Sequence, residues 1–288
     1  MKSRNNKKGI LCIIVATLGF SAIPILAQVG LSANMSAATL LFYRFFIAAI
    51  VFLVYCKARN KSIYLEKKEQ YFKVVIAGVI YSAQCIFFFS SFKYISASMG
   101  EIIYHCYPLF VLIMAYIFLK EKVTVFKVIG VIGSVVGVML VVYGPLDTVE
   151  IKGIIYVVLT ALISSVYMVY TKKSTASVDT TVLTLYLCLV CSAVYLIYSL
   201  LFNEFTLIAS VPTAVNVLIL AVCSTVLGFF FFMKAISLLP VGLVSVLSLL
   251  EPVFTIVLAF VILDIRLSML QMIGTAIVLF SICIYEKD

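Results

Sequence analysis

The sequence predicts an all-α polytopic membrane protein in which ten transmembrane helices form two inverted five-helix repeats around a central cavity. The 288 residues are 65% hydrophobic and only 11% charged, with a mean hydropathy of +1.24. These are too few polar side chains to cover the surface of a soluble domain of this length. Apolar runs of about 20 residues, enough to cross roughly 30 Å of hydrocarbon, recur along the chain. A fixed offset also relates the two halves of the sequence.

Charged, Gly/Pro and polar clusters divide the apolar sequence into ten predicted spans. The first apolar stretch is too long for the core of a signal peptide, and no clear A-x-A cleavage site follows it. We therefore expect an uncleaved first span, a tail at 1–9, repeats at 10–144 and 151–285, and a tail at 286–288. The predicted spans cover residues 10–30, 37–56, 71–93, 98–118, 123–144, 151–171, 181–202, 212–234, 241–262 and 266–285.

Basic residues are distributed unevenly between the two sides of this topology. Of the 21 Lys and Arg residues, 17 fall on the side of the N-terminus, and Arg44 lies inside span 2. The opposite loops hold only three, Lys93, Lys152 and Arg266. Because cytoplasmic loops carry the excess of basic residues, this asymmetry predicts a cell-membrane protein with both termini in the cytoplasm.

Several other classes of partner and cofactor are disfavoured. The net charge of +9 does not predict nucleic-acid binding, because the basic residues lie in short loops rather than along a polar face. The eight cysteines, including Cys188 and Cys191, lie in or beside apolar segments without a neighbouring His. No G-x-x-x-x-G-K-[ST] motif occurs. We therefore expect no metal, no cofactor and no direct drive by ATP.

The two halves align at an offset of 144 residues. Pro108 then meets Pro252, Gly130 meets Gly274, and "YPLFVLIMAYIFLKEKVT" aligns with "EPVFTIVLAFVILDIRLS" without a gap. Five helices per half is an odd number, so the second half must enter the membrane in the opposite orientation. Inverted repeats of this kind are typical of transporters with a solute site between the halves.

The segments "FYRFFIAAIV", "FKYISASMGEIIYHCYPLF" and "LLPVGLVSVLSLLEPVF" resemble the EamA family of the drug/metabolite transporter superfamily, and the resemblance covers nearly the whole chain. It implies a central cavity lined by spans 1, 3, 4, 6, 8 and 9, with spans 5 and 10 peripheral. Two positions depart from the family pattern. Phe20-Ser21 stands where Trp-Gly is common, and Ile265, beside Asp264, stands where the first repeat has Glu121. A substrate therefore cannot be carried over from any one member.

Ionisable residues inside the spans are the main candidates for function, since a charge at the bilayer centre costs about 2.5–3.5 kcal/mol. Arg44 and Glu101 lie at comparable depths and form a candidate ion pair. Glu101, Tyr104, His105 and Pro108 share one helical face, at i, i+3, i+4 and i+7. We expect this face to line the cavity.

The two aligned prolines predict helix kinks. Pro108 leaves the carbonyl of Tyr104 without its helical partner, and Pro252 does the same for Ser248. Unpaired carbonyls at membrane depth suit a solute site, although a kink without a ligand is the alternative.

For the remaining candidate residues, the sequence allows both a functional and a structural role. Glu251 could handle solute, carry a proton or form a structural ion pair, and the lone His105 could line the cavity or serve packing. Glycines on span 5 predict close helix packing, with a homodimer as a weaker alternative; they are Gly130, Gly133 and Gly137. The full predicted cavity set is Tyr81, Gln84, Glu101, Tyr104, His105, Tyr107, Tyr167, Ser248 and Glu251.

The expected function is secondary transport of small polar or amphipathic metabolites, with amino acids or their derivatives as the best candidates. The resemblance favours export but leaves the direction open. Proton coupling through Glu251, or through Glu101 with His105, and facilitated exchange are equally compatible. The alternatives are an importer or exchanger of a vitamin or quaternary amine, an embedded enzyme, or a scaffold. An enzyme is disfavoured because one His and scattered carboxylates do not form a convergent catalytic set. The expected partners are the lipid bilayer and a small solute.

Overall fold

A computed structural model of the chain describes residues 2–95, 97–142, 150–263 and 268–287, and within these ranges it contains helices and no strand. A π-helical segment, Ala221–Phe229, joins two of the α-helices. The α-helices are α1 (Lys2–Phe20), α2 (Ile23–Ser32), α3 (Ala37–Ala58), α4 (Lys68–Ser91), α5 (Ala97–Tyr104), α6 (Tyr107–Leu119), α7 (Val125–Val142), α8 (Ile151–Ser174), α9 (Thr180–Leu201), α10 (Val211–Leu220), α11 (Phe230–Leu238), α12 (Val241–Leu247), α13 (Leu250–Leu263) and α14 (Met269–Glu286).

These helices form ten membrane spans in the described part of the chain, each long and apolar enough to cross a bilayer. Span 1 consists of α1 and α2, span 4 of α5 and α6, span 8 of α10, the π-helical segment and α11, and span 9 of α12 and α13. The other spans are single helices. The prediction of an all-α membrane protein with ten spans is confirmed. Asp264, Ile265 and Arg266 lie outside the described residues.

The spans pack as two three-span bundles with two flanking pairs. Spans 3, 4 and 6 form one bundle, and spans 1, 8 and 9 form the other. Span 2 packs along span 7, and span 5 packs along span 10. If spans 1–5 are exchanged with spans 6–10 in the same order, each bundle becomes the other, and each of the two pairs is mapped onto itself. A two-fold repeat requires this pattern of contacts, while the inverted orientation of the halves stays a prediction.

The glycines of span 5 are used inside the chain. A Cβ added at Gly130 would lie 2.9 Å from the carbonyl oxygen of Ser281, and one added at Gly274 would lie 2.7 Å from the carbonyl oxygen of Gly137. Spans 5 and 10 therefore approach at backbone distance, as small residues at membrane helix interfaces allow. Because span 10 covers this face, a homodimer formed through it would have to displace span 10.

Gly137→Leu should destabilise the protein by about 2–3 kcal/mol, because the new side chain overpacks the contact between spans 5 and 10. A Cβ at this position would already lie 2.7 Å from Cγ2 of Val278 and 2.9 Å from its backbone nitrogen. Thermal unfolding in detergent, followed by far-UV circular dichroism, measures the effect. Val136→Leu introduces the same residue on the exposed side of α7 and should leave the unfolding temperature unchanged. Equal unfolding temperatures for the two variants would contradict this packing.

Two loops at the amino-terminal end of the bundle, where α1 begins, are joined by an ion pair. Nζ of Lys61 lies 2.6 Å from Oδ1 of Asp179. The same carboxylate caps α9, accepting hydrogen bonds from the backbone N–H groups of Thr181 at 2.8 Å and Val182 at 3.3 Å. Burial by itself would raise the pKa of Asp179, but Lys61 and the two N–H groups outweigh it and lower this pKa. The charged carboxylate therefore stabilises the folded state.

Asp179→Asn should lower the unfolding temperature at neutral pH but have little effect in acid. Since folding lowers the pKa of Asp179, its contribution is complete above the unfolded value of about 4 and is lost as the pH falls through the folded value. Unfolding temperatures of both proteins between pH 3 and pH 7 test this. Glu66→Gln, at an exposed position of the loop that holds Lys61, serves as the control. A difference that stays constant across this range would contradict the role of the charge.

Candidate functional site

A cavity of about 120 Å³ lies between the two bundles. All six spans that the family resemblance implies contribute to its wall, and span 2 adds Arg44. The polar lining residues are Arg44, Gln84, Glu101, Thr160, Ser164, Ser248 and Glu251. The aromatic lining residues are Phe20, Tyr81, Phe88, Phe89, Tyr104, Tyr107, Tyr167 and Phe232.

The structure brings eight of the nine residues predicted for the cavity onto this lining, and His105 is the exception. His105 is only 2% exposed and lies behind Glu101, with Nδ1 2.8 Å from the backbone oxygen of Glu101 and 3.3 Å from its Oε2. The prediction of a single face assumed a continuous helix. Span 4 is instead interrupted at His105 and Cys106, so the face is not continuous. Contact of the lining residues with solute stays a prediction.

Helix breaks position the residues on spans 4 and 9. The chain turns between α5 and α6 just before Pro108, and again at Ser248 and Leu249 just before Pro252. Each proline lies in the first turn of the following helix. N–H groups in the first turn have no partner within their own helix, so the missing N–H of proline costs no helical hydrogen bond there. The breaks occur at nearly equivalent positions of the two halves, and they place Tyr107 and Glu251 at the start of α6 and α13.

The carbonyl of Ser248 is not unpaired, and the prediction for it is wrong. The N–H of Glu251 donates to this oxygen at 3.0 Å. The chain forms a tight turn between α12 and α13. The N–H of Glu251, three residues after Ser248, therefore donates to the carbonyl that would have accepted from residue 252 if that residue were not a proline.

Arg44 is a buried cation with unused hydrogen-bonding capacity. Its side chain is only 4% exposed, and its guanidinium carbon lies 5.1 Å from the ring centroid of Phe45. Nε donates to Oγ1 of Thr225 at 2.8 Å. Nη2 has no hydrogen-bond partner among the described residues. A buried donor without a partner costs free energy, so an acceptor that enters the cavity has a strong interaction to gain.

The candidate ion pair between Arg44 and Glu101 is not formed in the structure. Nε of Arg44 is held by Thr225 on span 8, while Glu101 lies beside His105 on span 4. Glu251 is within electrostatic range of both Arg44 and Glu101. Oε1 of Gln84 is also buried without a hydrogen-bond partner in the described part of the chain. The cavity thus presents one cation, two carboxylates and a free amide oxygen to a solute.

Aromatic side chains form a floor on the amino-terminal side of the cavity. The hydroxyl of Tyr167 donates to Sδ of Met233 at 3.3 Å, and the hydroxyl of Tyr107 donates to the carbonyl of Ser245 at 3.3 Å. The ring of Tyr81 packs against that of Tyr167, with the two ring centroids 4.9 Å apart. These contacts close the space between the bundles below the cavity.

A second, wider cavity of about 530 Å³ lies at the opposite end of the bundle. It is lined by spans 2, 3 and 7 and the loops beside them, and its polar side chains include Lys93, Asn203 and Glu204. Phe89 borders both cavities. The two spaces therefore share a wall residue on span 3.

Some site residues were missed by the sequence interpretation. Thr160 and Ser164 were missed, although they precede the predicted Tyr167 on one face of α8, at i, i+4 and i+7, and form a polar stripe on span 6. Thr225 gave no such signal, since Ser and Thr are common in membrane helices. It lies within the π-helical segment, a geometry often found at functional sites. The described residues contain no cluster of His, Cys, Asp or Glu able to hold a metal.

Comparisons with known proteins agree with this architecture. The sequence model of the EamA-like transporter family matches residues 7–143 and again residues 151–285. An uncharacterized transporter of Haemophilus influenzae is 26% identical over 255 residues, which cover 86% of this chain and 82% of that protein. The uncharacterized transporter YyaM of Bacillus subtilis is 24% identical over 251 residues, covering 83% and 81%. A crystal structure with 19% identity superimposes with a TM-score of 0.84 over 97% of this chain and 96% of the other, so the fold is shared.

The family match extends over nearly the whole chain, in two successive copies, and the ten spans provide the membrane-crossing helices that such a protein needs. The chain therefore belongs to the EamA-like transporter family of the drug/metabolite transporter superfamily, and it is a membrane transporter.

Proposed function

We propose that the protein is a secondary transporter of small polar or amphipathic metabolites, with amino acids and their derivatives as the preferred class. The observation that carries this proposal is the unpartnered Nη2 of Arg44 in the same cavity as Glu251. A zwitterion matches this arrangement, since its carboxylate supplies the acceptor that Arg44 lacks and its ammonium group pairs with Glu251 or Glu101. The aromatic rings of the wall suit the apolar part of such a solute.

Alternating access is the proposed mechanism. The two three-span bundles enclose the cavity, and the exchange of contacts between spans five places apart supports two similar halves that rock about one site. We place both termini in the cytoplasm of the cell membrane, because 17 of the 21 basic residues lie on the amino-terminal side of the predicted topology.

Proton coupling is proposed through Glu251, or through Glu101 backed by His105. Glu251 is within electrostatic range of Glu101, and Glu101 is in direct contact with His105. Facilitated exchange without protons is the alternative. Solute uptake measured with and without an imposed pH gradient separates the two.

Counterflow in proteoliposomes tests the substrate class. Vesicles loaded with one solute from a panel of amino acids, quaternary amines, vitamins and nucleosides are diluted into the radiolabelled solute, with protein-free vesicles as control. We expect accumulation of carboxylate-bearing zwitterions. Accumulation of a quaternary amine, together with no accumulation of any zwitterion, would overturn the role given to Arg44 and favour the quaternary-amine alternative.

A further inference from the structure

The space between the bundles is bridged at one end. In the described part of the chain, four side chains form hydrogen bonds from the bundle of spans 3, 4 and 6 to the bundle of spans 1, 8 and 9. Three of them lie on spans 4 and 6, and the fourth lies just after the end of span 4. Two of them, Tyr107 and Tyr167, belong to the cavity floor. The other two, Glu121 and Lys172, lie further toward the amino-terminal end and contact a single turn.

That turn connects span 8 to span 9 and consists of Leu239 and Pro240, between α11 and α12. Helix ends leave backbone carbonyl and N–H groups without helical partners. Nζ of Lys172 donates to three carbonyls at the end of α11. The oxygens are those of Ile236 at 2.7 Å, Ser237 at 3.2 Å and Leu239 at 2.9 Å.

Glu121 binds the same turn from its other side. Its Oε1 accepts from the N–H of Val241 at 2.7 Å, and its Oε2 accepts from the N–H of Gly242 at 3.2 Å. A Cβ at Gly242 would contact the hydroxyl of Tyr285 and would lie 3.3 Å from Oε2 of Glu121, so a larger residue here would displace one of these side chains. Glu121 and Lys172 also attract each other electrostatically. All five hydrogen bonds are charge-assisted, the stronger kind.

The repeat offset identifies the residue of the second half that corresponds to Glu121. The 144-residue offset relates Glu121 to Ile265, whose side chain has no hydrogen-bond acceptor. Ile265 lies outside the described residues, so this comparison concerns its side-chain chemistry alone. The opposite end holds the wide cavity of about 530 Å³. Among the described residues, the side-chain hydrogen bonds between the two bundles therefore lie on the amino-terminal side of the central cavity.

We propose that Glu121 and Lys172 form a latch that holds the central cavity shut at the amino-terminal end. The latch must break each time the cavity opens toward that end. This proposal depends on the alternating-access function. It adds two residues outside the cavity that control which side of the membrane the site faces.

Hydrogen–deuterium exchange of the whole protein in lipid nanodiscs, without added solute, tests the latch. In Glu121→Gln and in Lys172→Met, we expect amides of 241–247 and of 164–171 to exchange at least tenfold faster than in the wild type. Amides of 86–95, at the opposite end, should exchange more slowly, because that end closes as the latched end opens. Glu286→Gln and Lys173→Met change exposed residues at the latched end and should match the wild type.

Each other outcome would overturn the latch. Faster exchange confined to the first turn of α12 would make Glu121 a helix cap only. Faster exchange in all spans would indicate general destabilisation, and unchanged exchange would remove any control by these residues. Because no solute is added, a shift in exchange together with failure of every solute in counterflow would contradict the proposed function and leave the latch standing.

Discussion

Arg44→Gln is expected to reduce transport of carboxylate-bearing solutes by about 10- to 100-fold while leaving the unfolding temperature equal to that of the wild type or higher. Hydrogen bonds to a charged group contribute about 1.5–3 kcal/mol, and each 1.4 kcal/mol changes an equilibrium tenfold. The stability result follows from the unpartnered Nη2, since glutamine removes a buried charge whose desolvation is not compensated inside the protein.

Counterflow rates and thermal unfolding on the same purified variant measure both effects. Arg59→Gln is the matched control, because it makes the same change at the exposed end of the same helix and should alter neither quantity. A lower unfolding temperature with normal transport would assign Arg44 a structural role through Thr225 instead. Equal losses for solutes with and without a carboxylate would contradict direct recognition of that group.

Glu251→Gln is expected to abolish transport, or to abolish its pH dependence, while expression and folding stay intact. The carboxylate lines the cavity within electrostatic range of Arg44 and Glu101, but forms no ion pair shorter than 4 Å among the described residues. Replacing it with a neutral side chain of the same shape removes a desolvated charge, so stability should not fall. If Glu251 binds the solute, we expect counterflow to fall at least tenfold.

Comparing two carboxylates separates their roles. If Glu251 carries the coupled proton, Glu251→Gln should leave exchange at equal pH measurable but insensitive to a pH gradient, whereas Glu101→Gln should keep that sensitivity. Glu286→Gln makes the same change outside the cavity and serves as the control. Unchanged uptake with a lowered unfolding temperature would support the structural-pair alternative for Glu251.

The spans were predictable because lipid imposes one length and one polarity on every crossing helix. The cavity residues were predictable for a related reason. A charge such as Arg44 or Glu251 is expensive in lipid, so its presence in an apolar run indicates an interior position. This argument needs no knowledge of which spans are neighbours.

The contacts of these residues were not predictable in the same way. The partner of Arg44 is Thr225, 181 positions along the chain, and a hydroxyl in a membrane helix is a weak signal. Glu121 and Lys172 bind backbone atoms, which every residue possesses, so no sequence pattern identifies the partner. The helical period correctly relates His105 to Glu101, but it does not show that the His105 ring lies against the backbone oxygen of Glu101 instead of facing the cavity.

The one-sided placement of hydrogen bonds between the bundles has a kinetic consequence. A solute that arrives at the end opposite the latch does not require the latch to break, whereas one that arrives at the latched end binds only during the fraction of time that the latch is broken. The apparent dissociation constant on the latched side is the intrinsic value divided by that fraction. We therefore expect half-saturation of transport to require more solute at the latched end than at the opposite end.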